Sequence, residues 1–230
     1  MAQAANICAH HVFLDLVDPE ASVLDLGAYE GGFARELSER TGARVIAVEA
    51  NPQMFEQLYS SERVTKLHLA VADQEGTIRL HLGDNPLGNS VFASHPNSDG
   101  EQVEVPALTL EQVIARHCGG RVDLLKVNIE GAEIPMLEAT SDATLQAIRQ
   151  ITIQFHDFLP ELDQKEDVVR AKTRLKDLGF GEILFKTPNK DVVFLNLRAG
   201  AISPARFRVE RLRVRVKQYL RAAQKKLGLG

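Results

Sequence analysis

Three polar side chains alternate near the end of an otherwise apolar segment. Residues 123–129 are predicted to form a strand, and Lys126, Asn128 and Glu130 share one of its faces because strand side chains alternate with a period of two. Polar groups on a central buried strand cost free energy unless they are paired. Ligands bind at the carboxyl ends of strands in open α/β sheets. The spacing therefore indicates a binding or catalytic site at the end of this strand.

A second polar pair, His156 and Asp157, ends a predicted strand over residues 150–156. Imidazole titrates near neutral pH, so His156 is the first candidate for a general base and Glu130 the second. The alternative for His156 is a strand-end histidine that bonds to the backbone. Asn128 would orient either an acceptor hydroxyl or a cofactor amino group.

The first predicted strand, residues 22–26, leads into a glycine turn with the pattern Asp25-x-Gly27-x-x-x-Gly31. Glycine permits a sharp turn and a close ligand approach, and the helix that follows offers unpaired N–H groups. The dinucleotide pattern Gly-x-Gly-x-x-Gly fails, because Tyr29 stands at its second glycine. The turn is therefore either a cofactor site of another kind or a plain strand–helix connection.

Glu49 ends the next predicted strand, residues 44–49. In nucleotide-binding α/β folds an acidic residue about 20 positions beyond the glycine turn holds the ribose. A carboxylate suits this role because it can accept a hydrogen bond from each hydroxyl of a diol. We assign Glu49 to the ribose, with a solvated strand-end carboxylate as the alternative.

The length of 230 residues indicates one main α/β domain with additions. We expect an N-terminal helix within residues 1–20, running over 5–17, and the main domain over 21–200. Residues 77–107 read as an inserted hairpin with a loop rich in turn residues. Asn89 and Ser90 in this loop would either shape a substrate site or be surface decoration.

Charge is divided unevenly along the chain. Residues 203–230 contain nine Lys or Arg against the single acidic Glu210, a net charge of +8, and residues 1–202 carry −12. The body lacks the basic face of a nucleic-acid binder, so we expect no nucleic-acid partner. Two cysteines form neither a disulfide framework nor a metal knuckle. Without a signal peptide or a run of about 20 apolar residues, a cytoplasmic location is expected.

The basic tail, residues 201–230, is predicted to form an amphipathic helix, although strand-like alternation also fits part of it. Its apolar stripe consists of Val209, Leu212, Val216, Tyr219, Leu220, Ala223 and Leu227. Such a helix contacts an anionic membrane or a partner protein through residues 203–227. The alternative is docking on the protein's own acidic body. A homodimer is a further expectation.

The chain resembles the FkbM-type O-methyltransferases. The resemblance spans about residues 22–197. Its motifs are Asp25-Leu-Gly27-Ala with Gly31 and Phe33, Glu49 with Asn51-Pro52, Asp123-Leu-Leu-Lys126-Val-Asn128-Ile-Glu130-Gly131-Ala-Glu133, and Gln154-Phe155-His156-Asp157. It implies a Rossmann-like methyltransferase fold. This is a mostly parallel seven-stranded sheet with helices on both faces and an antiparallel last strand, here with the inserted hairpin and the basic helix added.

The resemblance also implies S-adenosylmethionine as the cofactor and a sugar hydroxyl, in a polysaccharide or glycosylated natural product, as the acceptor. The expected cofactor contacts are Asp25, Gly27, Tyr29, Gly31, Glu49, Ala72, Asp73 and Asn128. Asp73, in the loop after a third strand over residues 64–72, would receive the adenine amino group or be an ordinary turn residue. The expected acceptor contacts are Lys126, Glu133, Asn89, Ser90 and Asp157. Lys126 would pair with a carboxylate in the site.

Two positions depart from the family pattern. Asn128 stands where aspartate is usual, and Gln154 stands where glutamate is frequent. Both changes remove a potential anionic ligand, and hard divalent cations favour carboxylates, so we expect no metal. Two other functions stay open: a non-catalytic cofactor-binding partner that docks through the basic tail, and a nicotinamide-dependent oxidoreductase, against which Tyr29 argues.

Overall fold

The computed structural model of the chain describes residues 4–82 and 102–226. A seven-stranded sheet forms the centre of this described part. Its strands in chain order are β3 (Ser22–Leu26), β4 (Arg44–Glu49), β5 (Val64–His68), β9 (Val122–Val127), β10 (Ile148–Ile153), β11 (Phe180–Lys186) and β12 (Asp191–Asn196). In space the order is β11-β12-β10-β9-β3-β4-β5. Neighbours are parallel from β10 to β5, and β12 is antiparallel to both β10 and β11. The predicted Rossmann-like architecture is confirmed.

Alternate residues of the central strands pack into different layers. The helices are α1 (Gly32–Thr41), α2 (Pro52–Gln57), α3 (Leu110–His117), α4 (Glu133–Ala139), α5 (Asp142–Gln146), α6 (Lys165–Asp177) and α7 (Pro204–Lys226). Leu24 and Leu125 pack with the helices α3, α4 and α6, whereas Val23 and Leu124 pack with α1 and the N-terminal segment. Because both faces of the sheet are covered, its strands read as continuous apolar runs in the sequence.

The inserted hairpin is confirmed as β7 (Gly76–His81) antiparallel to β8 (Gln102–Thr109). The single third strand predicted over residues 64–72 is wrong. It divides into β5 and β6 (Ala70–Ala72), and β6 pairs with β8 in a separate three-stranded sheet. Those long-range backbone pairs take β6 out of the main sheet. Asn89 and Ser90 lie outside the described residues.

The helix predicted over residues 5–17 is also wrong. This segment forms an antiparallel hairpin, β1 (Ala5–Ile7) and β2 (His10–Val12), followed by a 3-10 turn over Leu14–Leu16. Its backbone bonds to distant strands: the His11 N–H donates to Asp191 Oδ1 at 3.1 Å, and the Phe13 N–H donates to Gln150 Oε1 at 2.8 Å. These tertiary bonds override the local helical pattern.

Two predicted boundaries move at the site. The strand expected over residues 123–129 ends at Val127, and the strand expected over 150–156 ends at Ile153. Asn128, Glu130 and His156 therefore lie in loops beyond the strand ends. A 3-10 turn over Pro160–Leu162 precedes α6, and Asp163 between them adopts a left-handed φ of 48°. Among the helices of the described ranges, none is long and apolar enough to cross a membrane.

Candidate active site

Two cavities meet where β3, β4 and β9 end. The first, termed the apolar cavity, is lined by Leu26, Gly27, Tyr29, Val48, Glu49, Ala50, Leu69, Ala70, Val71, Leu80, Asn128, Ile129, Glu130 and Ala132. The second, termed the polar cavity, is lined by Cys8, His10, Gly27, Ala28, Tyr29, Glu30, Gly32, Phe33, Arg35, Lys126 and Asn128. Gly27, Tyr29 and Asn128 belong to both, so they form the junction of the two spaces.

The glycine turn is shaped by close backbone contacts. Gly27 has a φ of 71°, and a Cβ there would lie 1.8 Å from the carbonyl oxygen of Asn128. Only glycine lets the turn after β3 approach the loop after β9 this closely. Gly31 caps α1 with a φ of 82°, and a Cβ there would lie 2.9 Å from Leu58. Gly31 lines neither cavity, so its part is to support the conformation of the turn.

Glu49 joins the turn to the end of β4. Its Oε2 accepts from the Tyr29 N–H and its Oε1 from the Asn51 N–H, both at 2.8 Å. Burial raises the pKa of Glu49, and these backbone hydrogen bonds oppose that rise. Each carboxylate oxygen keeps a second acceptor site, which can face a ligand in the apolar cavity.

Lys126 and Asp25 form a buried ion pair behind the glycine turn. The Lys126 Nζ lies 2.9 Å from Asp25 Oδ1 and donates to the carbonyl oxygens of Leu26 and Gly27 at 3.1 and 2.6 Å. The two carbonyl oxygens use two of the three N–H donors of the ammonium group. The contact with Asp25 is an ion pair, since neither oxygen of its carboxylate has a hydrogen-bond partner among the described residues. Asp25 is fully buried and lines neither cavity. Asp25 therefore positions the turn through Lys126, and no side-chain surface of Asp25 faces either space.

Glu133 and His156 organise the loop that carries Glu130. The buried Glu133 carboxylate accepts from the N–H groups of Ile129 and Gly131 at 3.0 and 3.1 Å. The His156 Nδ1 lies 3.0 Å from Glu133 Oε1, and its Nε2 lies 3.2 Å from Glu130 Oε2. The imidazole thus bridges two carboxylates.

Burial lowers the pKa of His156, but the charges and hydrogen bonds of Glu133 and Glu130 outweigh it and raise the pKa to about 10. At neutral pH the ring is therefore a cation and has no free lone pair to accept a proton. This geometry disagrees with the choice of His156 as the first candidate base. Glu130 is better placed: its side chain is 19% exposed, it lines the apolar cavity, and its backbone has a left-handed φ of 51°.

The remaining predicted residues lie outside the junction. Asp157 is buried and its Oδ2 accepts from Asn189 Nδ2 at 2.7 Å. Ala72 and Asp73 line a separate cavity with Arg79. That cavity shares Val71 and Ala132 with the apolar cavity, so it is its neighbour on the side of β6. Glu133 lines neither of the two main cavities, so its role is to hold the loop that carries Glu130.

Asn128 presents an unsatisfied acceptor at the junction. Its Oδ1 is buried and has no hydrogen-bond partner among the described residues. A buried acceptor without a partner costs about 1–3 kcal/mol. A donor on a bound ligand would satisfy this atom, which makes Asn128 the clearest indication of ligand binding in the site.

Sequence reasoning missed the wall that the N-terminal hairpin supplies. Cys8 and His10 line the polar cavity together with Arg35. Burial lowers the pKa of His10 well below its usual value, so this ring is neutral. Its Nδ1 lies 3.3 Å from Thr152 Oγ1, and the ring packs edge-on against Phe33. The only signal in the sequence is the His10-His11 pair inside an apolar stretch.

Known proteins provide independent comparisons. Residues 25–181 match the family model of the methyltransferase FkbM domain. A curated relative, the AMB antimetabolite synthetase AmbE of Pseudomonas aeruginosa, is 26% identical over 183 residues. The match covers 62% of this chain but 9% of the synthetase, so the chain spans less than a tenth of that relative's length.

Two solved structures align with much of this chain. The precorrin-6y C5,15-methyltransferase of Geobacter metallireducens GS-15 is 12% identical, with a TM-score of 0.44 over 79% of this chain and 85% of that chain. The fibrillarin pre-rRNA processing protein of Methanococcus jannaschii is 14% identical, with a TM-score of 0.41 over 77% of this chain and 66% of that chain. Because the family model matches more than half of its length, the chain belongs to the FkbM methyltransferase family.

Proposed function

We propose that this protein is an S-adenosylmethionine-dependent O-methyltransferase that acts on a sugar hydroxyl of a polysaccharide or a glycosylated natural product. The observation that carries the proposal is the junction itself. An apolar cavity lined by Glu49 adjoins a polar cavity, and Asn128, whose Oδ1 is unsatisfied, lines both. A methyl donor and a polar acceptor need such adjoining spaces.

The residues of the apolar cavity fit the proposed cofactor. Its aliphatic walls suit a flat base, and the free acceptor sites of Glu49 suit a ribose diol. Asn128 Oδ1 would accept from the amino group of the cofactor. Gly27 and Tyr29 would contact the segment between these groups, because they line both cavities.

The residues around the loop of Glu130 suit proton removal. When bound, S-adenosylmethionine supplies an activated methyl group on a positively charged sulfur. A sugar hydroxyl has a high pKa, so a positioned base lowers the barrier to its attack. In the proposed mechanism the acceptor hydroxyl reaches from the polar cavity across the junction, and Glu130, which lines the apolar cavity together with Asn128, accepts its proton. The His156 cation, anchored by Glu133, holds the Glu130 carboxylate in place and is a positioning group.

The polar cavity supports a hydroxyl-rich acceptor. Arg35 offers several N–H donors, and the neutral His10 ring can donate or accept. A polyol needs both kinds of partner at its successive hydroxyls. The family resemblance points to the same class of acceptor.

Calorimetry with S-adenosylmethionine, S-adenosylhomocysteine and NAD⁺ tests the cofactor assignment. We expect binding of the first two compounds and none of NAD⁺. Glu49→Gln removes a charged acceptor, whose hydrogen bonds are worth about 1.5–3 kcal/mol, and should weaken binding about 10- to 100-fold. Glu56→Gln, exposed on α2, is the matched control. Absence of binding at millimolar concentrations, or a preference for NAD⁺, would refute the assignment.

Transfer of a radiolabelled methyl group to a panel of monosaccharides and polysaccharides tests the reaction. With saturating cofactor, Glu130→Gln should lower kcat about 100-fold or more, which is the usual contribution of a general base. Glu138→Gln, exposed on α4, should keep the wild-type rate. Cofactor binding without transfer to any hydroxyl would favour a non-catalytic cofactor-binding protein.

A further inference from the structure

Helix α7 is attached to the body of the protein by one of its faces. Phe207 packs so closely on β11 that a Cβ at Gly181 would lie 2.5 Å from its ring. The Gln218 amide donates to the carbonyl oxygens of Leu184 and Phe185 at 2.8 and 3.2 Å. Arg206 pairs with Asp15 at 2.6 Å. These contacts hold the helix along the sheet and fix which face points outward.

The outward face of α7 is an apolar stripe. The exposed fractions are 42% for Val209, 62% for Leu212, 48% for Val216, 74% for Tyr219 and 55% for Leu220. At 3.6 residues per turn these side chains fall within about 100° of arc, opposite Phe207 and Gln218. Of the large hydrophobic side chains exposed in the described ranges, Val169 alone lies elsewhere.

Basic side chains border this stripe on both sides. On the helical wheel, Arg208 and Arg215 lie along one edge, and Arg213 and Lys217 lie along the other. Arg213 pairs with Glu210, whereas Arg208, Arg215 and Lys217 are exposed and have no ion pair within the described part of the chain. Three stripe residues, Leu212, Val216 and Leu220, also line a groove between α7 and the body, together with Phe13 and Phe185.

Two kinds of occupant could cover an apolar stripe, and the charges distinguish them. Val209, Leu212, Val216 and Tyr219 follow a 3-4-3 spacing that would suit a coiled coil with a second copy. Such a dimer would bring the bordering arginines of both copies together, and like charges at these positions oppose pairing. An anionic lipid surface satisfies both features, because acyl chains receive the stripe and phosphates receive the arginines.

We propose that α7 is an in-plane anchor that binds the surface of an anionic lipid membrane. The stripe from Val209 to Leu220 enters the boundary between headgroups and acyl chains, and Arg208, Arg213, Arg215 and Lys217 contact lipid phosphates. The attraction of these side chains to an anionic surface adds to the burial of the stripe. This inference is independent of the proposed reaction, since none of these residues lines the cavities of the site.

Vesicle flotation with the full chain tests the anchor. We expect the protein to float with phosphatidylcholine vesicles that contain phosphatidylglycerol, and at least 10-fold less with phosphatidylcholine alone. Leu212→Ser combined with Val216→Ser, and Arg208→Glu combined with Arg215→Glu, should each reduce binding at least 10-fold. Val169→Ser and Lys165→Glu, exposed on α6, are the matched controls and should float like the wild type.

Circular dichroism of each variant establishes that it is folded. The proposal is overturned if the wild type does not bind the anionic vesicles, or if the α7 variants bind as well as the controls. It is also overturned if sedimentation shows an oligomer that Leu212→Ser with Val216→Ser dissolves, because the stripe would then belong to a protein interface. Cofactor calorimetry is unaffected by any of these results and reports on the proposed function separately.

Discussion

Replacement of His156 by glutamine removes the cation that stands between two carboxylates. The folded pKa of about 10 lies above the ordinary histidine value of 6.5. The protonated ring therefore stabilises the folded state fully below pH about 6.5, and this stabilisation is lost as the pH rises through 10. By linkage, the stabilisation falls by about 3 kcal/mol between pH 7 and pH 9.5, at about 1.4 kcal/mol for each unit of pKa shift.

Urea unfolding followed by circular dichroism measures this effect, since the chain has no tryptophan. The free-energy difference between wild type and His156→Gln should be smaller at pH 9.5 than at pH 7 by about 3 kcal/mol. His117→Gln, which removes an exposed imidazole at the end of α3, is the control against which the difference is measured. A difference that stays constant or grows with pH would refute the assignment of a buried cation.

Two further predictions concern the support of the site, and a third concerns the docking of α7. Gly27→Ala should abolish S-adenosylmethionine binding in calorimetry and destabilise the fold by more than Gly120→Ala. Gly120 is the control because it has a similar left-handed φ of 82°, but a Cβ there would have nothing within 4 Å. Equal effects of the two substitutions would contradict the close contact of Gly27 with Asn128. Lys126→Met should cost about 3–5 kcal/mol in urea unfolding by leaving Asp25 buried and unpaired, and adding Asp25→Asn should restore part of that loss. Phe207→Ala should release α7 from β11 and raise its backbone hydrogen exchange, with Arg211→Ala, exposed on the same helix, as control; unchanged exchange would contradict the docking.

The site was predictable from the sequence where a pattern is local. Glu49 could be found because it lies at a strand end at a known distance from Gly27, and the structure has it bonded to the glycine turn. Asn128 and Glu130 could be found because polar residues interrupt an apolar run. The parallel sheet was also predictable, since strands buried on both faces are nearly continuous runs of apolar residues.

The roles of several residues depend on partners far away in the sequence. Asp25 was expected to contact the cofactor, but its partner Lys126, about a hundred residues later, draws it into a buried pair. His156 was expected to be a base, but only the fold brings Glu130 and Glu133 to its two nitrogens and changes its charge. The spacing of residues along the sequence does not reveal which charges will surround an ionisable group in the folded protein.

The chain's own patterns determined most of the main-sheet strands, the glycine turn and the amphipathic basic helix, because these depend on side-chain period and backbone preference within a few residues. Tertiary structure alone decided that residues 5–12 form a hairpin and that His10 closes the polar cavity. It also decided which face of α7 is left outward, through the contacts of Phe207 and Gln218. In each case the energy comes from groups distant in sequence, and only packing brings them together.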